Sequence, residues 1–191
     1  TNETWVLAIE TWMQADRLDE TRALIDRFER ERSPGAEDYA ALGVQLMAEA
    51  LPPPAPVFFG PPAPPPRADT PGTRLALELL DKAAALRPDD RAILLGIATF
   101  LMVPRPDLAR PFAERAVKAS PDEPEAQIVL GIVLGLDDRV TEAKAMLQRA
   151  AKLARRQGRT DLHDQAQALR QVVGTPMLRM MLSAGMADPD G

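Results

Sequence analysis

Few residues in this chain are suited to chemistry. Histidine occurs once, as His163 beside Asp164, and an isolated imidazole needs a nucleophile or a second base to do acid–base work. No Ser, Lys or carboxylate stands around it in a recognisable nucleophile–base spacing, so His163 reads as a surface residue. Cysteine is absent, which removes thiolate metal sites, thiol nucleophiles and disulfides. The methionines at 177, 180, 181 and 186 are soft enough for copper. With neither His nor Cys beside them, they read as a flexible apolar anchor. Asp188-Pro189-Asp190 is too short for a calcium loop, and Gly131 and Gly135 fall in a helical pattern instead of a phosphate loop. Asn2-Glu3-Thr4 fits a glycosylation sequon, a single match of little weight. The expectation is a non-enzymatic chain with no catalytic residue, no metal and no cofactor.

What remains is surface, and the elements that would build it repeat. Ala76, Leu80, Ala83 and Pro88 are matched by Ala109, Ala113, Ala116 and Pro121, and again by Ala143, Leu147, Ala150 and Arg155, at offsets of 33 and 34 residues. A period of this size marks stacked helical hairpins. Small residues every three to four positions let helices approach closely, and a proline ends each second helix. The partner helices carry Leu42-Gly43, Leu95-Gly96 and Leu130-Gly131. A mid-helix glycine costs about 1 kcal/mol against alanine, so its recurrence predicts a close helix contact at each.

This pattern resembles the tetratricopeptide repeat family: a Leu-Gly pair in the first helix, small residues in the second, and a closing proline. The likeness is good over Glu123–Gln157 and over Pro88–Pro121, apart from about one extra residue in the turn Val103–Asp107. The first repeat, Asn2–Pro34, matches through Trp5, Leu18, Thr21, Ile25 and Phe28. The resemblance implies an all-α solenoid of about four repeats over residues 1–174, serving as a binding scaffold. More loosely, Trp5, Asp38-Tyr39-Ala40 and Thr70-Pro71 resemble the periplasmic repeat domain of a cytochrome c maturation factor that holds apocytochrome. That likeness implies a chaperone-like role with an apolar apocytochrome helix as guest.

Read in order, helices are predicted at Asn2–Ala15, Leu18–Arg32, Glu37–Leu51, Thr73–Leu86, Ala92–Val103, Asp107–Ala119, Glu125–Leu136, Thr141–Gln157 and Asp161–Val173. Thr73, Asp89, Asp107 and Thr141 are the expected N-caps, Gly158 a stop, and Pro111 sits in the first turn or so of its helix. Trp5, Ile9 and Trp12 share one apolar face and read as packing residues. The mixed-sign run Asp26–Arg32 reads as a solvated face with i,i+4 pairs. Residues 159–174 form a capping helix and 175–191 a methionine-rich tail. Between 52 and 72 lies a proline-rich insertion of about 21 residues with a P-x-x-P spacing at Pro61–Pro66. Within it, Val57-Phe58-Phe59 is expected to tuck against the solenoid.

Apolar residues make up 46% of the 191 and aromatics 4%, with Ala and Leu dominant, which favours helix over sheet. The net charge of −5 and a pI near 5.0, with no basic block, argue against nucleic acid as partner. No apolar run approaches the roughly 20 residues that span a bilayer. The sequence opens at Thr1, which is consistent with a preceding signal peptide or anchor. The compartment is open, with periplasm or a membrane-associated complex favoured over cytoplasm.

In the resembled repeats the first helices line a concave groove. The groove positions are then Val6, Met13, Val44, Met47, Ile93, Ile97, Phe100, Ile128 and Ile132, apolar in every repeat and without the Lys, Arg and Asn that grip a terminal carboxylate. The expected partner is an apolar or amphipathic protein segment bound in that groove. Phe58, Phe59, Met177, Met180 and Met181 are possible secondary contacts. The helices at 92–103 and 125–136 are apolar almost all round, which predicts that both their faces are covered. A structural subunit of a membrane-associated complex, with the groove permanently buried, is the alternative.

Overall fold

In a computed structural model the chain is all-helical over the described residues. These are residues 5, 7–9, 11, 17–51 and 70–186, with side chains to 182. The expected helix at the N-terminus is seen at Trp5, residues 7–9 and Thr11. It is followed by α1 (Leu18–Arg32), α2 (Ala36–Ala50), α3 (Pro71–Leu86), α4 (Arg91–Leu101) and α5 (Pro106–Ala119). Then come α6 (Pro124–Leu136), α7 (Val140–Arg156), α8 (Thr160–Val172) and α9 (Pro176–Met186). The chain forms two compact units, one holding α1–α3 and the other α4–α9. Trp12 and residues 52–69, with Phe58, Phe59 and Pro61–Pro66, lie outside the described residues.

In the first unit the close approach is at Gly43. A Cβ there would stand 2.7 Å from Leu80 Cγ and 3.1 Å from the Ala76 carbonyl, so α2 and α3 meet backbone to side chain. Ile9, Ile25, Phe28, Leu42, Met47, Leu79 and Leu80 fill the core, and Trp5 stacks on Phe28 at 5.8 Å between ring centroids. Arg27 lies over the Trp5 ring and pairs with Glu31 at 2.7 Å, the i,i+4 pair expected of the mixed-sign run. Lys82 reaches Glu29 at 2.7 Å. Burial pushes the Tyr39 phenol up to about 12, helped by its hydrogen bond to Glu29 and the charges of Glu29 and Asp38.

The second unit repeats the device. At Gly131 a Cβ would stand 2.7 Å from Leu147 Cγ, locking α6 to α7. Arg159, at the start of α8, bridges Glu123 at 2.7 Å and Glu125 at 2.6 Å, and Arg91 meets Glu123 at 2.8 Å. These pairs tie together the starts of α4, α6 and α8. Gln127, fully buried, donates to the Pro121 carbonyl at 3.0 Å and holds the preceding turn.

Several expectations need correction. The cap of α3 is Thr70, whose Oγ1 accepts from the Thr73 amide at 3.1 Å, because Pro71 starts the helix two residues early with φ already set. Residues 70–72 therefore belong to a helix start and not to the insertion. Asp90, not Asp89, caps α4, accepting from the Ala92 and Ile93 amides at 3.0 and 3.3 Å. Asp107 and Thr141 lie inside their first turns, since α5 begins at Pro106 and α7 at Val140. Pro111 consequently falls in the second turn of α5. Gly158 does end α7, with φ +72.

The largest correction is the tail. Residues from Pro176 to Met186 are helical, after Gly174 turns the chain with φ +84. Leu178 is 2% exposed and lies 3.3 Å from where a Gly135 Cβ would stand, while Arg179 donates to the Leu136 carbonyl at 2.9 Å. The start of the methionine-rich segment is thus packed on the end of α6.

Candidate functional site

The nine groove candidates do not share one environment. Val6 and Met13 lie outside the described residues. Val44 is half-buried and Met47 fully buried in the first unit. In the second unit Ile97, Ile128 and Ile132 are core residues, 2%, 4% and 6% exposed, while Ile93 and Phe100 are half-buried. Of the secondary candidates, Met177, Met180 and Met181 are 54%, 59% and 50% exposed, one stripe at i, i+3 and i+4 on α9. Their backs are turned to Leu178, which faces the core.

Two apolar helices, α4 and α6, therefore behave differently, against the expectation that both are covered all round. Along α6 almost every residue is buried. Leu147 closes it at Gly131, and Val173 with Leu178 closes it at Gly135, where a Cβ would stand only 2.2 Å from Val173 Cγ2. Along α4 only Leu94, Ile97, Ala98 and Leu101 are buried, a stripe at i, i+3, i+4 and i+7. Its other side carries Ile93, Gly96 and Phe100 at i, i+3 and i+7. Gly96 is exposed, and none of the described residues stands within 4 Å of its missing Cβ.

The reason is register. Gly131 precedes Ala143 by 12 residues, but Gly96 precedes Ala109 by 13, because the turn Val103–Asp107 is one residue longer. The residue that stands 12 before Ala109 is Ile97. By this register Ile97 is the counterpart of Gly131 and Ala113 that of Leu147, and both Ile97 and Ala113 are buried, as an exchange of bulk between the two sides would require. Gly96 is left facing outward. The extra turn residue was visible in the sequence, yet its effect on Gly96 was missed because the Leu-Gly pair was aligned by identity and not by distance to the next small residue.

The remaining chemical candidates have structural work. His163 Nδ1 donates to the Ala151 carbonyl at 2.9 Å and ties α8 to α7. Trp5, Tyr39 and Thr70, which carried the looser resemblance, serve as a stacked ring, a core phenol and a helix cap. Among the described residues no cluster of His and carboxylates has metal-ligand geometry, and no helix is long and apolar enough to cross a membrane. The sequence reading also overlooked a basic face on α7. Its cations at 144, 149, 152, 155 and 156 are spread thinly along the sequence but share one side of the helix.

No protein-family model and no curated protein matches the chain. Among solved structures, a MamA RS-1 double mutant is 17% identical at a TM-score of 0.45, covering 97% of this chain and 96% of its own. A MamA fragment from Desulfovibrio magneticus RS-1 is 15% identical at 0.44, covering 100% and 97%. PilF of Pseudomonas aeruginosa is 11% identical at 0.31, covering 96% and 97%. Likenesses this distant carry nothing about activity. The 33- and 34-residue period, with helical hairpins closed at Gly43 and Gly131, is that of a helical-hairpin repeat, the fold that the tetratricopeptide resemblance implies.

Proposed function

We propose that the chain is a non-enzymatic protein-binding scaffold, and that the open side of α4 takes an apolar or amphipathic helix of a partner. The observation that carries this reading is the slot at Gly96 between half-buried Ile93 and Phe100. A helix as apolar as α4 leaves this side in water, where each Å² later covered contributes about 25 cal/mol, less the cost of ordering the guest. A slot with no side chain of its own fits one large anchor residue, the feature around which helix-in-groove contacts are built.

The test is a quantitative native pull-down with the full chain against Ile93→Asp/Phe100→Asp and against Gly96→Leu. Proteins enriched on the wild type should be lost from both variants, with helicity by circular dichroism retained. Retention of every partner by both folded variants would sink the assignment.

A second reading, favoured by the exposed Met177, Met180 and Met181 stripe, is a constitutive subunit whose α9 is covered in an assembly. Such a subunit co-purifies in a fixed ratio and aggregates alone, whereas an adaptor runs as a monomer on size exclusion.

A further inference from the structure

The strongest unspent charge lies on α7. Lys144, Arg149, Lys152, Arg155 and Arg156 are all exposed, on the side opposite the buried Ala143, Leu147, Ala150, Ala151 and Ala154. No acidic residue follows Glu142 until Asp161. Other cations of this unit are matched: Arg139 with Glu142, Arg110 with Asp137, Arg159 with Glu123 and Glu125. None of the five on this face is ion-paired among the described residues, on a chain whose net charge is −5.

Helix polarity accounts for part of this. Arg155 and Arg156 sit in the last turn, where cations are favoured. Lys144 sits near the first turn, where the macrodipole opposes it, and Arg149 and Lys152 are like-charge neighbours at i,i+3. Among the described residues no carboxylate pairs with any of those three to offset this. The side chains span about 18 Å of helix at ~1.5 Å per residue. Along their edge runs an open groove of about 440 Å³ between α7 and α8, lined by Thr141, Lys144, Gln148, Arg170 and Gln171. Arg170 adds a further cation from the facing helix, and the two amides and the hydroxyl add hydrogen-bonding capacity.

We propose that this face docks an acidic helical segment of a protein partner, its carboxylates at i,i+4 spacing meeting Lys144, Lys152 and Arg170. Charge complementarity selects that occupant. The groove admits side chains, and its amides suit a hydrogen-bonding peptide edge. None of the large exposed apolar side chains lies on α7 or α8, so the surface lacks the wedge that seats an interfacial site in lipid. The site uses no residue of the α4 face and does not depend on that reading.

The test uses the full chain and a fluorescein-labelled alanine-based helix of about 20 residues with Glu at every fourth position, read by anisotropy at about 50 mM salt. A Gln-for-Glu peptide is the control. The acidic peptide should bind and the Gln peptide should not. Lys144→Glu/Lys152→Glu should weaken binding by about tenfold or more. Arg30→Glu/Arg32→Glu, exposed on α1, changes net charge equally and should leave binding intact. Circular dichroism checks that both variants fold. Equal loss in the two variants, or equal binding of both peptides, would overturn the proposal. So would tighter α7-dependent binding of anionic vesicles or of a DNA duplex, since the face would then serve a different class of partner.

Discussion

Two helices of nearly the same composition, α4 and α6, end in opposite situations. In α6, Gly131 and Gly135 are places where another side chain already stands, and the helix is enclosed by Leu147, Val173 and Leu178. In α4, Gly96 has none of the described residues within 4 Å of its missing Cβ. The difference does not come from the helices themselves. One residue more in the turn after α4 rotates its contact with α5 by one position, so Ile97 takes the seam and Gly96 is released. A glycine in a repeat consensus therefore carries no fixed meaning. Its role is decided by the distance to the small residue it must meet.

The comparison can be broken most forcefully at the closed glycine. Gly131→Leu should destabilise the chain by about 3 kcal/mol or more in chemical denaturation, because Leu147 is fully buried and has nowhere to go. Gly131→Ile with Leu147→Ala copies the Ile97/Ala113 pair and should recover most of that loss. If it recovers nothing, the exchange of bulk between the hairpins is not what sets the register.

On the closed side too, Leu169 is 7% exposed in the second unit. Leu169→Asp places a carboxylate in the core and should cost about 2–3 kcal/mol. A change within about 0.5 kcal/mol would mean that the capping helix contributes little to the enclosure of α6 and α7.

The open glycine should behave in the opposite sense. Gly96→Ala should raise stability by about 1 kcal/mol, since alanine gains helix propensity and meets none of the described residues. A fall in melting temperature would show the slot to be filled. The smallest effect distinguishes the α2–α3 hairpin from its counterpart. Tyr39 is the only tyrosine, so phenolate absorbance reports it alone, and its midpoint should lie near 12. The folded state then holds a proton that the unfolded state has released from pH 10 upward. This contribution is complete below about 10 and is lost as pH rises from 10 to 12. An ordinary midpoint near 10 would mean that Glu29 and burial do not act on it.

Periodicity, the small-residue pattern and the closing prolines determine most of the helices on their own, and Leu18–Arg32 forms over the residues its apolar spacing predicts. Such signals are local, written within one or two turns of the chain. Cap positions shifted where a proline fixed φ ahead of the expected residue, as at Pro71 and Pro106. The helix at Pro176–Met186 was missed although Gly174 and Pro176 are ordinary stop and start signals, because its methionines were read by composition and not by spacing.

What the sequence by itself determined, then, is the repeat, its hairpins and the scarcity of catalytic groups. The tertiary structure alone decided which apolar side chains are core and which remain surface. Ile97, Ile128 and Ile132 look the same as Ile93 and Phe100 in sequence, and the first three are buried while the last two are not. Burial depends on what arrives from elsewhere in the chain. Leu147, Val173 and Leu178 arrive at α6 from 16 to 43 residues beyond the glycines they close, and no local pattern records that they do not arrive at Gly96.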